Sequence, residues 1–214
     1  MTIDYAKARE TMVEQQVRPW DVFDVRVLDA LASLPRERFV AESHRALAYS
    51  DLALPLGHGR HMFKPVVEGR ALEALAVQAE EKVLEIGTGS GYLTACFARL
   101  AREVVSLDIH ADLADAAAAR LQVEGMGNAR VIAADALAWG TDQRFDAICV
   151  GAAVTELPAR FLQWLTPGGR LFAVRGHAPA MEAVLVRADG SLESLFETEL
   201  EYLIGAEPPR TFSL

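Results

Sequence analysis

The sequence predicts an α/β fold: a doubly wound, mostly parallel Rossmann-like sheet with an antiparallel far edge. Three observations carry that expectation. From Val66 onward, short apolar runs alternate with helical stretches in a regular rhythm. A glycine cluster, Gly87-Thr88-Gly89-Ser90-Gly91, stands where the first apolar run turns into a helix. The last two runs follow one another with only a turn at Asp189-Gly190 between them, so the far edge reverses direction.

Each element has its own reason. Ala6–Val17 reads as one helix, broken by Arg18-Pro19. Val25–Leu34 carries Val25, Leu28, Leu31 and Ala32 near the 3.6 period and stops at Pro35. Leu52–Pro65 holds Pro55, Gly57, Gly59 and Pro65 and is expected to be loop or short irregular strands. Val66–Gln78 is a helix, and Lys82–Gly87 a short strand ending in glycine. Tyr92–Ala101 is a helix, Glu103–Asp108 a strand, and Asp112–Glu124 an Ala-rich helix closed by Gly125. Ala129–Ala134 and Phe145–Val150 are strands, and Leu157–Leu165 is a helix stopped by Pro167-Gly168-Gly169. Arg170–Arg175 is the next strand, and Met181–Arg187 and Leu200–Ile204 are expected to close the sheet. Residues 1–65 are thus a helical and irregular segment packed on a core of residues 66–214.

The 214 residues are 51% hydrophobic and 24% charged, which excludes a disordered chain. A net charge of −9 argues against nucleic acid or an anionic membrane as partner. No apolar run reaches membrane-span length, and the N-terminus lacks the basic cap and apolar core of a secretory signal, so a cytoplasmic protein is expected. Cys96 and Cys149 sit in apolar segments without metal spacing, which reads as two buried structural thiols and no metal site.

The glycine loop carries the chemistry. A dinucleotide fingerprint, G-x-G-x-x-G, would need glycine at position 92, where this chain has Tyr92. The spacing here is G-x-G-x-G, with Glu85 two residues upstream. An acid there suits S-adenosylmethionine, which has no pyrophosphate but carries a sulfonium and an α-ammonium. Asp108, ending the second core strand, can accept both ribose hydroxyls. Asp135, ending the third, can accept the adenine amino group. The expected cofactor site is therefore Glu85, Gly87, Thr88, Gly89, Ser90, Gly91 and Tyr92, with Asp108, Ile109, Asp135, Ala136 and Gly151.

These residues, with the blocks Arg26–Leu31, Leu34–Val40, Ala48–Asp51, Phe145–Pro158 and Leu165–Leu171, closely resemble the protein-L-isoaspartate O-methyltransferase family of class I S-adenosylmethionine-dependent enzymes. The resemblance spans most of the chain. It implies a Rossmann-like methyltransferase core that binds S-adenosylmethionine and yields S-adenosylhomocysteine. It also implies methyl transfer to a carboxylate, including that of isoaspartyl residues in damaged proteins, so the implied partner is a protein or peptide bearing such a group. A carboxylate is already nucleophilic at pH 7, so the reaction needs positioning and desolvation more than a general base.

The chain departs from the family in one loop and at two lesser places. Where the family typically carries Gly-Gln-Thr-Ile-Ser-x-Pro, this chain reads Gly59-Arg60-His61-Met62-Phe63-Lys64-Pro65. The family's Gly-Asp-Gly is Ala134-Asp135-Ala136, and the tail Pro208–Leu214 also differs. Between Asp51 and Glu68 lie His58, Arg60, His61 and Lys64 and no acid. The candidate substrate loop Arg60–Lys64 is therefore expected to receive an anionic group, with Arg60 as its fork. The alternative is a solvated loop whose basic residues meet surface acids. Met62 and Phe63 are expected to gate or pack. Other functional readings are methyl transfer to a different anionic small molecule, or a regulatory protein that keeps the cofactor site without catalysis.

Overall fold

The structure, a computed structural model, describes residues 3–209; the rest of the divergent tail, residues 210–214, lies outside them. Seven strands form the main sheet: β3 (Lys82–Ile86), β4 (Glu103–Asp108), β5 (Ala129–Ala133), β6 (Phe145–Val154), β7 (Leu165–His177), β8 (Ala180–Arg187) and β9 (Leu192–Glu197). Their order is β5-β4-β3-β6-β7-β8-β9, parallel from β5 through β7 and antiparallel across β8 and β9. The expected mostly parallel sheet with an antiparallel edge is thus observed. A separate hairpin pairs β1 (Leu54–Gly57) with β2 (Arg60–Met62).

Both faces of the sheet are covered. Along β3, Val83 joins the large apolar cluster with α3 (Pro65–Leu75) and α4 (Tyr92–Leu100), while Leu84 and Ile86 join the opposite cluster with α6 (Ala159–Gln163). That alternation is the period-2 signature of a strand buried on both sides. It also puts Glu85 on the α4 side, where Thr94 reaches it. The crossover α5 (Ala111–Val123) links β4 to β5. Chain direction splits around β3, with β4 on one side and β6 on the other, so the ligand crevice of a doubly wound sheet falls at their carboxyl ends.

The N-terminal segment packs on α3 through the Met12–Val17 turn that follows α1 (Tyr5–Thr11), and on α3 and α4 through α2 (Val25–Ser33). The single helix expected over Ala6–Val17 loosens to a π-helical turn at Met12–Val17 and tightens to a 3₁₀ turn at Arg18–Trp20. This wider winding buries Met12, Val13 and Val17 together. At α2 the Asp24 side chain caps the start, and Leu34 is extended as the residue before Pro35 requires. Arg36 is fully buried; it donates to the carbonyls of Ala48 and Phe63, pairs with Glu68 and lies 4.8 Å from the centre of the Tyr92 ring.

The closing strand is a correction. It lies at Leu192–Glu197, not Leu200–Ile204, because the tight turn at Asp189-Gly190 returns the chain at once onto β8. The 200–204 segment instead runs beside the end of β6. There Leu203 N donates to Ala153 O (2.7 Å) and Ala153 N to Glu201 O (2.8 Å). The helix expected over Leu157–Leu165 shrinks to α6, because Leu165 already pairs with Phe145 in the sheet.

Candidate active site

Glycine geometry builds the floor of the cleft. Gly87, Gly89 and Gly91 all have positive φ (93°, 53° and 84°), so the loop after β3 turns sharply before α4 begins. Gly151 on β6 faces this loop across the split in chain direction. A Cβ there would stand 2.9 Å from the carbonyl oxygens of Ile86 and Gly87, so nothing larger than glycine fits. A cleft opens above, walled by Ile86, Leu107, Asp108, Ile109, Asp135 and Leu203.

The carboxylates take three different stances. Asp108 is buried at the end of β4, accepting from Gly89 N (2.8 Å) on one oxygen and His110 N (2.9 Å) on the other. Each oxygen keeps a further lone pair, and Asp108 lines the cleft. Asp135, just beyond β5, is exposed on the cleft wall beside buried Ala136 and accepts from Leu137 N. Glu85 is sealed beneath the loop, accepting from Ser106 Oγ (2.6 Å) and from Thr94 Oγ1. Burial pushes its carboxyl up to about 8, against the pull of those two hydroxyls, so it is mostly protonated at pH 7. It borders a small neighbouring cavity that it shares with Glu68, Thr88 and Ser90.

Tyr92 departs from the expected site. Its ring turns into the core, edge-on to Phe39 at 5.4 Å, because position 92 opens α4 on its inward face. Only its backbone stays at the loop, donating to Ser90 Oγ. Ile109 lines the cleft with its side chain partly exposed.

The hairpin β1–β2 forms the opposite wall. Leu56 leans over the loop so closely that a Cβ on Gly89 would meet it at 2.8 Å. Arg60 and His61 line the cleft, but both are tied: Arg60 Nη1 donates to Tyr202 O (2.5 Å), and His61 Nδ1 lies 2.6 Å from Glu201. At the tip, His58 stacks on His110 at 4.0 Å and meets Asp112 at 2.9 Å. Of the four basic or titratable loop residues, His58 and His61 meet acids, and Arg60 is held by a backbone carbonyl. Lys64 has no ion pair among the described residues. Met62 and Phe63 pack into the core beside the small cavity. Both cysteines are free and buried, as expected of structural thiols.

Sequence reasoning missed the wall made by Glu201, Leu203 and Ile204, together with His110 and Leu113. The apolar pattern that suggested a strand at 200–204 was the signal of this wall.

Comparison with known proteins agrees with this architecture. Residues 7–203 match the family model described as protein-L-isoaspartate(D-aspartate) O-methyltransferase. A protein-L-isoaspartate O-methyltransferase 1 of Syntrophobacter fumaroxidans is 40% identical over 187 residues, covering 87% of each chain. Another, from Rhodopseudomonas palustris, is 42% identical over 168 residues, covering 78% of this chain and 69% of its own. A Plasmodium falciparum structure, described as a protein-L-isoaspartate O-methyltransferase in complex with S-adenosyl-L-homocysteine, superposes with a TM-score of 0.81 at 19% identity. It covers 94% of this chain and 99% of that one, and shows the shared fold. The chain belongs to the protein-L-isoaspartate(D-aspartate) O-methyltransferase family.

Proposed function

We propose that the chain is an S-adenosylmethionine-dependent methyltransferase that esterifies the free carboxylate of isoaspartyl residues in proteins or peptides. Family membership supports the reaction class. The observation that carries cofactor binding is the fit of Gly87 and Gly151 beneath a cleft rimmed by Asp108. When bound, the cofactor supplies an electrophilic methyl on a sulfonium.

The chain's own residues then have defined tasks. Asp108 offers its remaining lone pairs to the ribose hydroxyls, and Asp135 accepts from the adenine amino group. Ile109, Ala136 and Leu203 enclose the base in apolar surface. Thr88, Ser90 and Glu85 border the cavity suited to the cationic end. A cation placed there draws the Glu85 carboxyl back down and makes it an anion. Arg60 carries a positive charge on the hairpin wall toward the substrate carboxylate, held in place by the Tyr202 carbonyl, and His61 lines the wall beside it. That carboxylate is anionic at pH 7, so no group in the site has to remove a proton from it. Leu56 and Phe63 exclude water from the reacting end.

The test is the chemical nature of the product. Label transferred from the cofactor to an isoaspartyl peptide should be released as methanol by mild base, as a methyl ester requires. Label that stays on the peptide through base treatment would overturn the carboxylate reading.

A further inference from the structure

A second groove lies beside the cofactor cleft. Its floor is apolar, made by Val66 and Val67 of α3, Phe196 of β9, Leu200 and the ring of Trp20. Trp20 is 50% exposed, unusual for so large an apolar side chain. Glu201 belongs to both depressions, and its partner His61 lines the cleft. The neighbouring Tyr202 carbonyl holds Arg60. Cleft and groove therefore meet at Glu201.

We propose that this groove is the docking track for the polypeptide on either side of the methylated residue, and that it favours segments carrying lysine or arginine there. The proposal rests on the isoaspartyl reading given above. Continuity supplies the first argument. A chain whose reactive side chain enters the cleft past His61 must lay its neighbours somewhere, and the groove begins at the same Glu201. The apolar floor supplies the second. An exposed indole beside valine, leucine and phenylalanine offers affinity to any backbone or side-chain stem, without selecting sequence. Charge supplies the third. The lining carries Asp51, Glu197, Glu199 and Glu201 against one lysine, Lys64, while the nearby Arg70, which lies over the Phe196 ring, is already paired with Asp21. Glu197 and Glu199 are exposed, and neither has a salt bridge among the described residues. A basic segment meets complementary charge there, whereas an acidic one meets repulsion. The −9 of the whole chain steers in the same direction.

The experiment uses three isoaspartyl peptides of one core sequence, flanked by lysine, serine or glutamate. Their affinities for the full chain are read by fluorescence anisotropy with S-adenosylhomocysteine present, so binding is seen without turnover. Their kcat/KM values are read in parallel. The lysine-flanked peptide should bind at least about fivefold more tightly than the glutamate-flanked one at low salt, the scale of two exposed charge pairs. The gap should close at high salt. The double variant Glu197→Gln, Glu199→Gln should remove the gap while leaving the serine-flanked peptide unchanged, and Trp20→Ala should weaken all three alike. Equal affinities for the three peptides, or a gap that survives the double variant, would overturn the groove assignment. Charge-selective binding without methyl transfer to any peptide would leave the groove standing and overturn the isoaspartyl reading instead.

Discussion

Glu85→Gln is the sharpest probe of how burial and cofactor chemistry are coupled. Glutamine has the shape of the protonated acid and can accept the same hydroxyls of Thr94 and Ser106. Burial raises the native Glu85 carboxyl from 4.5 to about 8. The native state therefore holds a proton that the unfolded chain has already released above about pH 5. The stabilisation from that proton is complete below the unfolded value and is lost as pH rises through the native one. At about 1.4 kcal/mol per pKa unit, the wild type loses about 3 kcal/mol between pH 5 and pH 8 from this group alone. For a chain of this size that corresponds to a fall of about 6–12 °C in melting temperature. The glutamine variant lacks the titration, so its melting temperature should decline less over the same range. The two curves, measured without ligand, should converge toward pH 5 and separate toward pH 8. With S-adenosylhomocysteine added, the proposed seating of its cationic ammonium at the Glu85 cavity predicts that the wild type gains more from the ligand as pH rises, since a nearby cation favours the ionised carboxylate. Parallel melting curves from pH 5 to pH 8 would show that Glu85 is not held protonated.

Other substitutions separate site from scaffold. Asp108→Asn should weaken S-adenosylhomocysteine binding by about 10–100-fold in calorimetry, the value of charged hydrogen bonds, with the fold retained. Gly151→Ala puts a Cβ 2.9 Å from two backbone carbonyls, and should abolish the ligand-induced thermal shift and lower stability by about 1–3 kcal/mol in chemical denaturation. Arg36→Met strands the buried Glu68 carboxylate and should cost about 3–5 kcal/mol in denaturant titration, most of it recovered by adding Glu68→Leu.

Much of this was legible in the sequence because local chemistry and fold agree. The glycine run after an apolar strand can do little else than turn, and Asp108 follows from the strand's own end. Tyr92 was misread because loop membership says nothing of which helical face a residue takes; the first turn of α4 points inward. The hairpin residues needed tertiary partners to be understood. Arg60 and His61 look like free positive charge until the 200–204 segment supplies a carbonyl and a carboxylate from far along the chain. That segment was itself misplaced, because its apolar residues line a cleft wall with the same spacing a strand would use. Glu85 gave its position but not its protonation, since burial is a property of the packed sheet rather than of the motif.

The most direct measurement compares initial rates of methyl transfer to an isoaspartyl peptide and to its aspartyl twin, at saturating S-adenosylmethionine. The isoaspartyl peptide should be methylated and the twin left unmodified, because the two differ only in which carboxylate is free and how far it projects from the backbone. Equal rates on the two, or no transfer to either despite demonstrated cofactor binding, would contradict the assignment.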